Sequence, residues 1–80
     1  MKFYVYILEC SDKSYYVGST NNLDKRLVQH NSSKNGAHYT KIRRPVVLKY
    51  FEKFKTFSEA RHREAEIKRL KREEKEKLWN

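Results

Sequence analysis

A run of aromatic and β-branched residues near the N-terminus, Phe3 to Cys10 (FYVYILEC), is apolar on both of its alternating faces. Strands of this kind are typical of the middle of a sheet, where other elements cover both sides. A chain of 80 residues can bury only one small core, so the rest of the chain is expected to pack around this strand. Cys10 is the single cysteine, which excludes an internal disulfide and a cysteine-based zinc site. We interpret it as a small core residue.

The residues after this strand predict a hairpin followed by a helix. A turn at residues 11–14 leads to a second apolar stretch, Tyr15 to Ser19 (YYVGS), which favours antiparallel pairing with the first strand. Asn21 or Asn22 can then cap a short helix from Leu23 to about His30. The further predicted elements are a polar, basic loop at residues 31–44, a third strand from Val46 to Glu52 that opens at Pro45, a helix capped by Ser58, and a final helical stretch that returns Leu78 and Trp79 to the body.

The order β-β-α-β-α-α predicts an α+β fold class, with a small three-stranded antiparallel sheet flanked by helices. We expect one domain over residues 1–80, with a core at about 3–70 and a C-terminal helical extension at 71–80. No stretch is long and apolar enough for a membrane span, and the N-terminus lacks the apolar region of a signal peptide. The expected location is therefore the cytoplasm, with no membrane partner.

The net charge of +9 is large for this length and is unevenly distributed. Residues 41–80 contain fourteen lysines and arginines against seven acids, whereas residues 1–40 contain five against three. A surplus of this kind favours a polyanionic partner, most often nucleic acid. The terminal run at residues 71–77 (KREEKEK) is also typical of a solvated helix with internal charge pairs. The less compensated cations between Lys41 and Lys55 do not fit that simpler explanation.

Glu64 is an acid on an apolar stripe. It follows Ala60 by four residues and precedes Ile67 by three, so a helix places all three on one face. A carboxylate that faces a core must be neutralised, paired or bound to a cation. Two alternatives remain open: a salt bridge to a basic residue at position 61, 63 or 68, and a divalent metal ion.

The two predicted hairpin strands contain a recognisable signature. Tyr4-Val5-Tyr6, followed ten residues later by Tyr16-Val17-Gly18, resembles the paired GIY and YIG motifs of the GIY-YIG nuclease superfamily. The resemblance extends to Arg26 and His30, which share one face of the first predicted helix, and to Glu64 on the later helix. It covers nearly the whole chain and is nearest to the small stand-alone members, the UPF0213-like proteins. The first glycine of GIY is Tyr4 in this chain, and Gly18 is a structural candidate that permits close backbone approach or a strand bend.

The resemblance implies a metal-dependent phosphodiester hydrolase. Glu64 would bind one divalent ion, Mg²⁺ or Mn²⁺, and Arg26 would make a bidentate contact with the scissile phosphate. In the family the YIG tyrosine, here Tyr16, is the proposed general base, and the GIY tyrosine, here Tyr6, assists in positioning. His30 would orient the attacking water or act as a base, because imidazole titrates near neutral pH. Without the resemblance, the two tyrosines would be explained equally well as an aromatic pair on facing strands.

The polar loop is the expected substrate-contact surface. It interleaves an aromatic residue with cations and a hydroxyl group, a mixture that suits phosphate contact and base stacking. The candidate nucleic-acid-binding residues are His38, Tyr39, Thr40, Lys41, Arg43 and Arg44.

These features together predict an endonuclease that hydrolyses DNA phosphodiester bonds. Its binding is expected to be structure-selective or only weakly sequence-selective, because so small a chain has little surface for reading bases. Two other classes remain open: a catalytically weak or inactive nucleic-acid-binding module that recruits a partner, and an interaction protein whose basic surface binds an acidic protein. RNA in place of DNA also remains open, as does a protein partner that supplies specificity.

Overall fold

The apolar run near the N-terminus forms the central strand of a three-stranded antiparallel sheet. The computed structural model describes residues 2–32 and 38–80, and within these ranges helices flank the sheet, which confirms the predicted α+β class. The elements are β1 (Phe3–Glu9), β2 (Tyr15–Thr20), α1 (Leu23–Ser32), α2 (His38–Lys41), β3 (Val47–Phe54), α3 (Phe57–Lys68) and α4 (Arg72–Glu76).

The sheet order β2-β1-β3 explains why both faces of β1 are apolar. On one face, Val5 and Ile7 pack with Val17 of β2 and with Ala60 and Ile67 of α3. We call this the α3 side of the sheet. It holds one of two buried clusters formed by the described residues.

The second buried cluster lies on the opposite face, which we call the α1 side. Tyr6, Leu8 and Cys10 are buried there, and Leu23 and Leu27 of α1 pack against them. Cys10 is therefore a core residue, as the sequence predicts. Two thin apolar layers, one on each side of β1, make up the core of this small domain.

A register shift in β3 decides which of its residues face α1. Ile7 of β1 lies opposite Tyr50, but the next residue, Leu8, lies opposite Leu48, so β3 contains one extra residue at this point. Before the bulge Leu48 packs on the α1 side. After it Phe51 is the direct partner of Tyr6, and directly opposed residues share a face of the sheet.

The predicted loop at residues 31–44 is wrong in part. Asn31 and Ser32 continue α1, and residues 38–41 form the short helix α2; residues 33–37, with Gly36, lie outside the described residues. The loop prediction fails here because two side-chain hydrogen bonds, which the polar composition does not indicate, hold this segment. The Asn31 side chain accepts from the Val46 N–H (2.7 Å) and donates to the Val46 carbonyl (3.0 Å), which ties the end of α1 to the start of β3.

The helix caps confirm one prediction and correct another. The Asn22 side chain accepts from the Lys25 N–H (3.1 Å) and so caps α1 as predicted. The cap of α3 is Thr56 and not Ser58, because Thr56 and Glu59 form a reciprocal capping box with hydrogen bonds of 3.2 and 3.3 Å. Ser58 lies inside the helix and is exposed.

The C-terminal residues return to the body of the protein, as the sequence predicts. Leu78 and Trp79 pack against the cluster on the α3 side. The Trp79 ring meets the Tyr15 ring edge-on at 5.4 Å, and the Tyr15 hydroxyl donates to Glu76 of α4 (2.7 Å). No helix in the described ranges has the length and apolar character needed to cross a membrane.

Replacing Thr56 with Ala is expected to lower the free energy of unfolding by about 1 kcal/mol, because the first turn of α3 loses its cap. Urea unfolding followed by circular dichroism measures this difference. Ser58→Ala is the matched control and should change the value by less than about 0.5 kcal/mol. Equal losses in the two variants would show that Thr56 is not the effective cap.

Candidate active site

A chain of buried hydrogen bonds joins β1 to both of the first two helices. The Tyr6 hydroxyl lies 2.8 Å from His30 Nε2, and His30 Nδ1 lies 2.8 Å from the Thr40 hydroxyl. Tyr6 is 2% exposed, and His30 and Thr40 are fully buried. The chain therefore fixes the ring of Tyr6 relative to α1 and α2.

The protonation states of this chain follow from its burial. Burial lowers the pKa of His30 to about 4, and the cations of Arg26 and Arg44 act in the same direction. Burial raises the pKa of Tyr6 to about 12, although a hydrogen bond from Arg26 opposes that rise. At neutral pH the pair is thus a neutral imidazole and a protonated phenol, and each imidazole nitrogen has one defined role, donor or acceptor.

Arg26 lies beside the Tyr6 hydroxyl on the face of α1 that also presents His30. Its guanidinium hydrogen-bonds the Tyr6 side chain and donates to the Gln29 side chain (3.0 Å). The sequence predicts that Arg26 and His30 share a face, and the structure brings both together with Tyr6. A half-buried cation therefore lies next to an ordered phenol.

Gly18 makes room for this arrangement. A Cβ atom at this position would lie 2.5 Å from the Tyr6 hydroxyl oxygen and 3.1 Å from the Tyr16 ring. Gly18 is also the direct partner of Tyr6 in the β1–β2 pairing. Of the two expectations for Gly18, close approach is the one that the geometry supports.

Tyr16 stands at the more open end of an aromatic cluster. Its ring centroid lies 5.1 Å from that of His30 and 6.0 Å from that of Tyr39, and the Arg43 guanidinium covers the Tyr39 ring at 3.9 Å. Unlike Tyr6, Tyr16 is only partly buried, and it lines a cleft of about 240 Å³ together with Tyr39 and Lys68. A molecule in this cleft can therefore contact Tyr16.

Glu64 is held by three neighbours. Ser19 donates a hydrogen bond to its carboxylate (2.7 Å), the Lys68 ammonium lies at 2.8 Å, and Arg61 lies at 3.6 Å. Burial raises the pKa of the Glu64 carboxyl, but the hydrogen bonds from Lys68 and Ser19 outweigh it and hold that pKa below its usual value. Glu64 is thus ionised at neutral pH, and the salt-bridge alternative is present with Arg61 and Lys68. Arg63 pairs with Glu52 instead.

The tyrosines and Glu64 lie on opposite sides of the sheet. Tyr6 and Tyr16 pack on the α1 side, whereas Glu64 belongs to α3 and contacts Ser19 of β2. The link between the two sides is at β2, which is an edge strand. Lys68, the partner of Glu64, lines the same cleft as Tyr16, and the charge of Glu64 adds to the raised pKa of Tyr6.

The donor atoms near Glu64 fit a single divalent ion that takes its other ligands from water and substrate. The described residues contain no cluster of three His, Cys, Asp or Glu side chains that could enclose a metal. Mg²⁺ does not require such a cluster, because it is commonly held by one or two carboxylates together with waters and phosphate oxygens. Glu64 is an ionised carboxylate beside the Ser19 hydroxyl, and its cationic partners Arg61 and Lys68 have side chains that are 62% and 56% exposed.

The expected nucleic-acid surface is revised for three of its residues. Thr40 is fully buried and holds His30, so its prediction as a contact residue is wrong. Arg44 donates to the carbonyls of Gln29 and His30 at the end of α1. Arg43 donates to Asp12 (3.0 Å) and to the Tyr39 carbonyl, besides covering the Tyr39 ring. These intramolecular bonds consume donors that the sequence pattern assigns to phosphate. The other three candidates, His38, Tyr39 and Lys41, keep at least partial exposure.

The expected role of His30 also changes. A group that orients water needs access to solvent, but His30 is fully buried and both of its ring nitrogens have protein partners. The geometry makes it a positioning residue for Tyr6.

Ser19 and Lys68 are site residues that sequence reasoning missed. Lys68 follows Glu64 by four residues, a spacing that predicts contact on a helix. From the sequence it is interpreted only as a salt-bridge partner of Glu64, the alternative to a metal ion. Ser19 had a weaker signal: it alternates with Val17 and so shares the side of β2 that faces α3.

The chain is similar to known proteins over nearly its whole length. A family model described as the GIY-YIG catalytic domain matches residues 2–77. A UPF0213 protein of Syntrophus aciditrophicus is 56% identical over 77 residues, which are 96% of this chain and 88% of the relative. A UPF0213 protein of Halobacterium salinarum is 46% identical over 76 residues, with 95% and 97% covered.

Two solution NMR structures have a similar fold. The UPF0213 protein from Bacillus halodurans matches with a TM-score of 0.61 at 45% identity, over 98% of this chain and 82% of that one. A protein from E. faecalis matches with a TM-score of 0.64 at 38% identity, over 98% and 83%.

The buried His30 predicts a pH dependence of stability. Its pKa is about 4 in the folded chain and near 6.5 when unfolded, so between these values the unfolded state binds a proton that the folded state does not. The free energy of unfolding should therefore fall as the pH decreases from 7 to 5. Urea unfolding across this range measures the slope.

His30→Gln should flatten that slope, whereas His62→Gln, at an exposed histidine of α3, should leave it unchanged. The carboxyls with lowered pKa act at lower pH and do not contribute in this window. If the His30 ring titrated near pH 6.5 by NMR, the predicted burial effect would be refuted.

Proposed function

This chain belongs to the GIY-YIG catalytic domain family, whose domain is associated with nuclease activity in general, and on that premise we propose that it is a metal-dependent endonuclease acting on DNA. The observation that supports this proposal best is the convergence at the open edge of β2. There Lys68, the ion-pair partner of the ionised Glu64, lines the cleft of Tyr16. On the other side of the sheet the Tyr16 ring lies 6.4 Å from the ring of Tyr6, whose side chain is hydrogen-bonded to Arg26.

The reaction is the hydrolysis of a phosphodiester. Water forms a new bond to phosphorus, the bond to the departing oxygen breaks, a base takes a proton from the water, and the departing oxygen gains a proton. A site for this reaction must stabilise negative charge on the phosphoryl oxygens and hold the attacking water in line.

Arg26 is the group proposed to bind the phosphoryl oxygens. A guanidinium presents parallel N–H donors that match two oxygens of one phosphate. Its contacts with Tyr6 and Gln29 restrict its position before substrate binds. Ordering it in advance reduces the entropy lost when the phosphate is bound.

Tyr6 is proposed to act as a positioning residue and not as a base. With a pKa of about 12 the phenol keeps its proton at neutral pH. Tyr6 is 2% exposed, and His30 and Thr40 hold its hydroxyl in place. This hydroxyl therefore fixes the guanidinium of Arg26, to which it is hydrogen-bonded.

Tyr16 is proposed as the proton acceptor for the attacking water, in its phenolate form, after the phenol has released its own proton to solvent. It is the less buried of the two motif tyrosines and lines the cleft that Lys68 also borders. Its aromatic contacts with His30 and Tyr39 fix the ring. The assignment agrees with the role that the YIG tyrosine is proposed to have in the family.

Glu64 would hold one divalent ion, Mg²⁺ or Mn²⁺, with Ser19 orienting the carboxylate. The bound ion would supply Lewis acidity that stabilises the negative charge of the phosphoryl group. Lys68 and Arg61 satisfy the carboxylate in the free protein. Being long and exposed, these two side chains can turn from Glu64 toward the phosphates of a bound substrate.

The same contacts also favour a second candidate function. The carboxylate of Glu64 already has a hydrogen bond and two cations as partners, so a metal must compete with them. A protein in which the cations win would bind nucleic acid without cutting it and would act as a module that recruits a partner.

Glu64→Gln should abolish metal-dependent cleavage, because the amide carries no charge to hold the cation. The assay is cleavage of labelled DNA (duplex, single-stranded, flap and junction) with Mg²⁺ or Mn²⁺. Glu66→Gln, on the same helix and paired with Arg63, is the matched control and should retain activity. Metal-dependent cleavage that survives in Glu64→Gln would refute the metal assignment; binding without cleavage in the unaltered protein would favour the recruiting module.

Tyr16→Phe should reduce the cleavage rate by about 10²- to 10⁴-fold at saturating DNA, because it removes the proton acceptor. DNA affinity should change little, since the ring and its stacking contacts remain. Tyr50→Phe removes a hydroxyl from the opposite side of the sheet, where Tyr50 bonds Glu52, and should leave the rate unchanged. A Tyr16→Phe variant of normal rate would exclude Tyr16 as the base.

A further inference from the structure

An aromatic pair lies on the α1 side of the sheet, next to the proposed site. The rings of Tyr4 and Phe51 meet edge-on with centroids 6.1 Å apart. Phe51 is 44% exposed, although it is the direct partner of the buried Tyr6 across the β1–β3 pairing. Phe51 is thus a large, partly exposed apolar ring on the strand next to Tyr6.

The pair forms part of a groove between β3 and the beginning of α1. The groove has a volume of about 390 Å³ and is bordered by Tyr4, Phe51, Lys53, Asn21 and Asp24. Lys53 is the direct partner of Tyr4 and lies beyond Phe51 on the same face. Tyr4 stands where the GIY motif has glycine, so one of the two rings exists only because this chain departs from the motif.

The charge around Tyr4 and Phe51 indicates which kind of molecule the groove binds. The chain carries +9, so a second copy of it would be repelled from a face that presents a lysine. A nucleic-acid strand matches both features of the groove, because its bases stack on aromatic rings and its phosphates contact lysine. Asp24 repels phosphate from the end of the groove near α1, which orients such a strand with its phosphate toward Lys53.

We propose that Phe51, whose ring Tyr4 meets edge-on, is a stacking platform for one unpaired base of the nucleic-acid substrate, with Lys53 contacting the adjacent phosphate. The base must be unpaired because a base inside a duplex presents only its edges, whereas stacking on a side chain requires a free face. The inference rests on the proposed function for the identity of the ligand. It adds a substrate class: DNA with a flap, bulge or single-stranded end close to the scissile bond.

Binding to a catalytically silenced protein tests the platform separately from cleavage. In the Glu64→Gln background, fluorescence anisotropy gives the affinity for a short labelled duplex with a single-stranded flap and for the same duplex with blunt ends. Phe51→Ala should weaken flap binding by about 5- to 150-fold and change blunt-duplex binding by less than about 2-fold. Phe51→Tyr, which keeps an aromatic face, should restore flap binding.

Phe57→Ala is the matched control, since Phe57 is also a half-exposed phenylalanine (50%) but packs on Phe3 away from the groove. It should leave flap affinity unchanged. A second substrate lacks the base of the flap at the junction. The protein with Phe51 intact should bind this abasic flap more weakly than the complete flap, whereas Phe51→Ala should bind the two flaps equally well. Urea unfolding of each variant shows that the fold is retained.

The possible failures are distinct. If flap and blunt DNA bind equally well and Phe51→Ala has no effect, the platform is refuted while the proposed function stands. If the protein binds none of these DNAs and cuts none, both are refuted. If Phe51→Ala alters only sedimentation, Phe51 belongs to a contact between copies and the platform is again refuted.

Discussion

The hydrogen bonds from Tyr6 through His30 to Thr40 are the constraint on which the rest of the site depends. They lie on the α1 side of the sheet, and each group is buried too deeply to find water if a partner is lost. An unsatisfied buried polar group costs about 1–3 kcal/mol, a large share of the stability of a domain this small. The chain therefore holds α1 and α2 in one position on β1. Arg26, one turn before His30, is placed by the same bonds.

The basic residues of the chain fall into two groups, those bonded inside the protein and those exposed near Glu64, and the net charge alone does not distinguish the groups. Arg43 and Arg44 spend their donors inside the protein, on Asp12 and on carbonyls of the first two helices. Arg61 and Lys68 instead lie around the carboxylate of Glu64 at the edge of β2, with most of their length exposed. Of these four cations, Arg61 and Lys68 are the more available to a phosphate. Mutation of Arg44 is therefore expected to change stability, and mutation of Lys68 to change binding.

Local periodicity was sufficient to predict the strands, the inward register of Glu64 and the shared face of Arg26 and His30. It could not predict that Thr40 is buried, because that depends on a contact with His30 across ten residues of a polar segment. Ser19 was missed for a similar reason: its role comes from Glu64, 45 residues away. The cap at Thr56 is a different case, since the spacing of Thr56 and Glu59 is itself the capping-box signature, which Ser58 with Arg61 lacks.

The geometry of the sheet relates the two proposed binding features. Phe51 lies on β3 and Tyr16 on β2, the two strands that flank β1, so about 10 Å of sheet separates the platform from the cleft. Tyr6 of β1 lies between them, opposite Phe51 and beside the Tyr16 ring. A strand whose unpaired base stacked on Phe51 would thus need only a few nucleotides to reach Tyr16. The position of the cut would then be set by where pairing ends in the substrate.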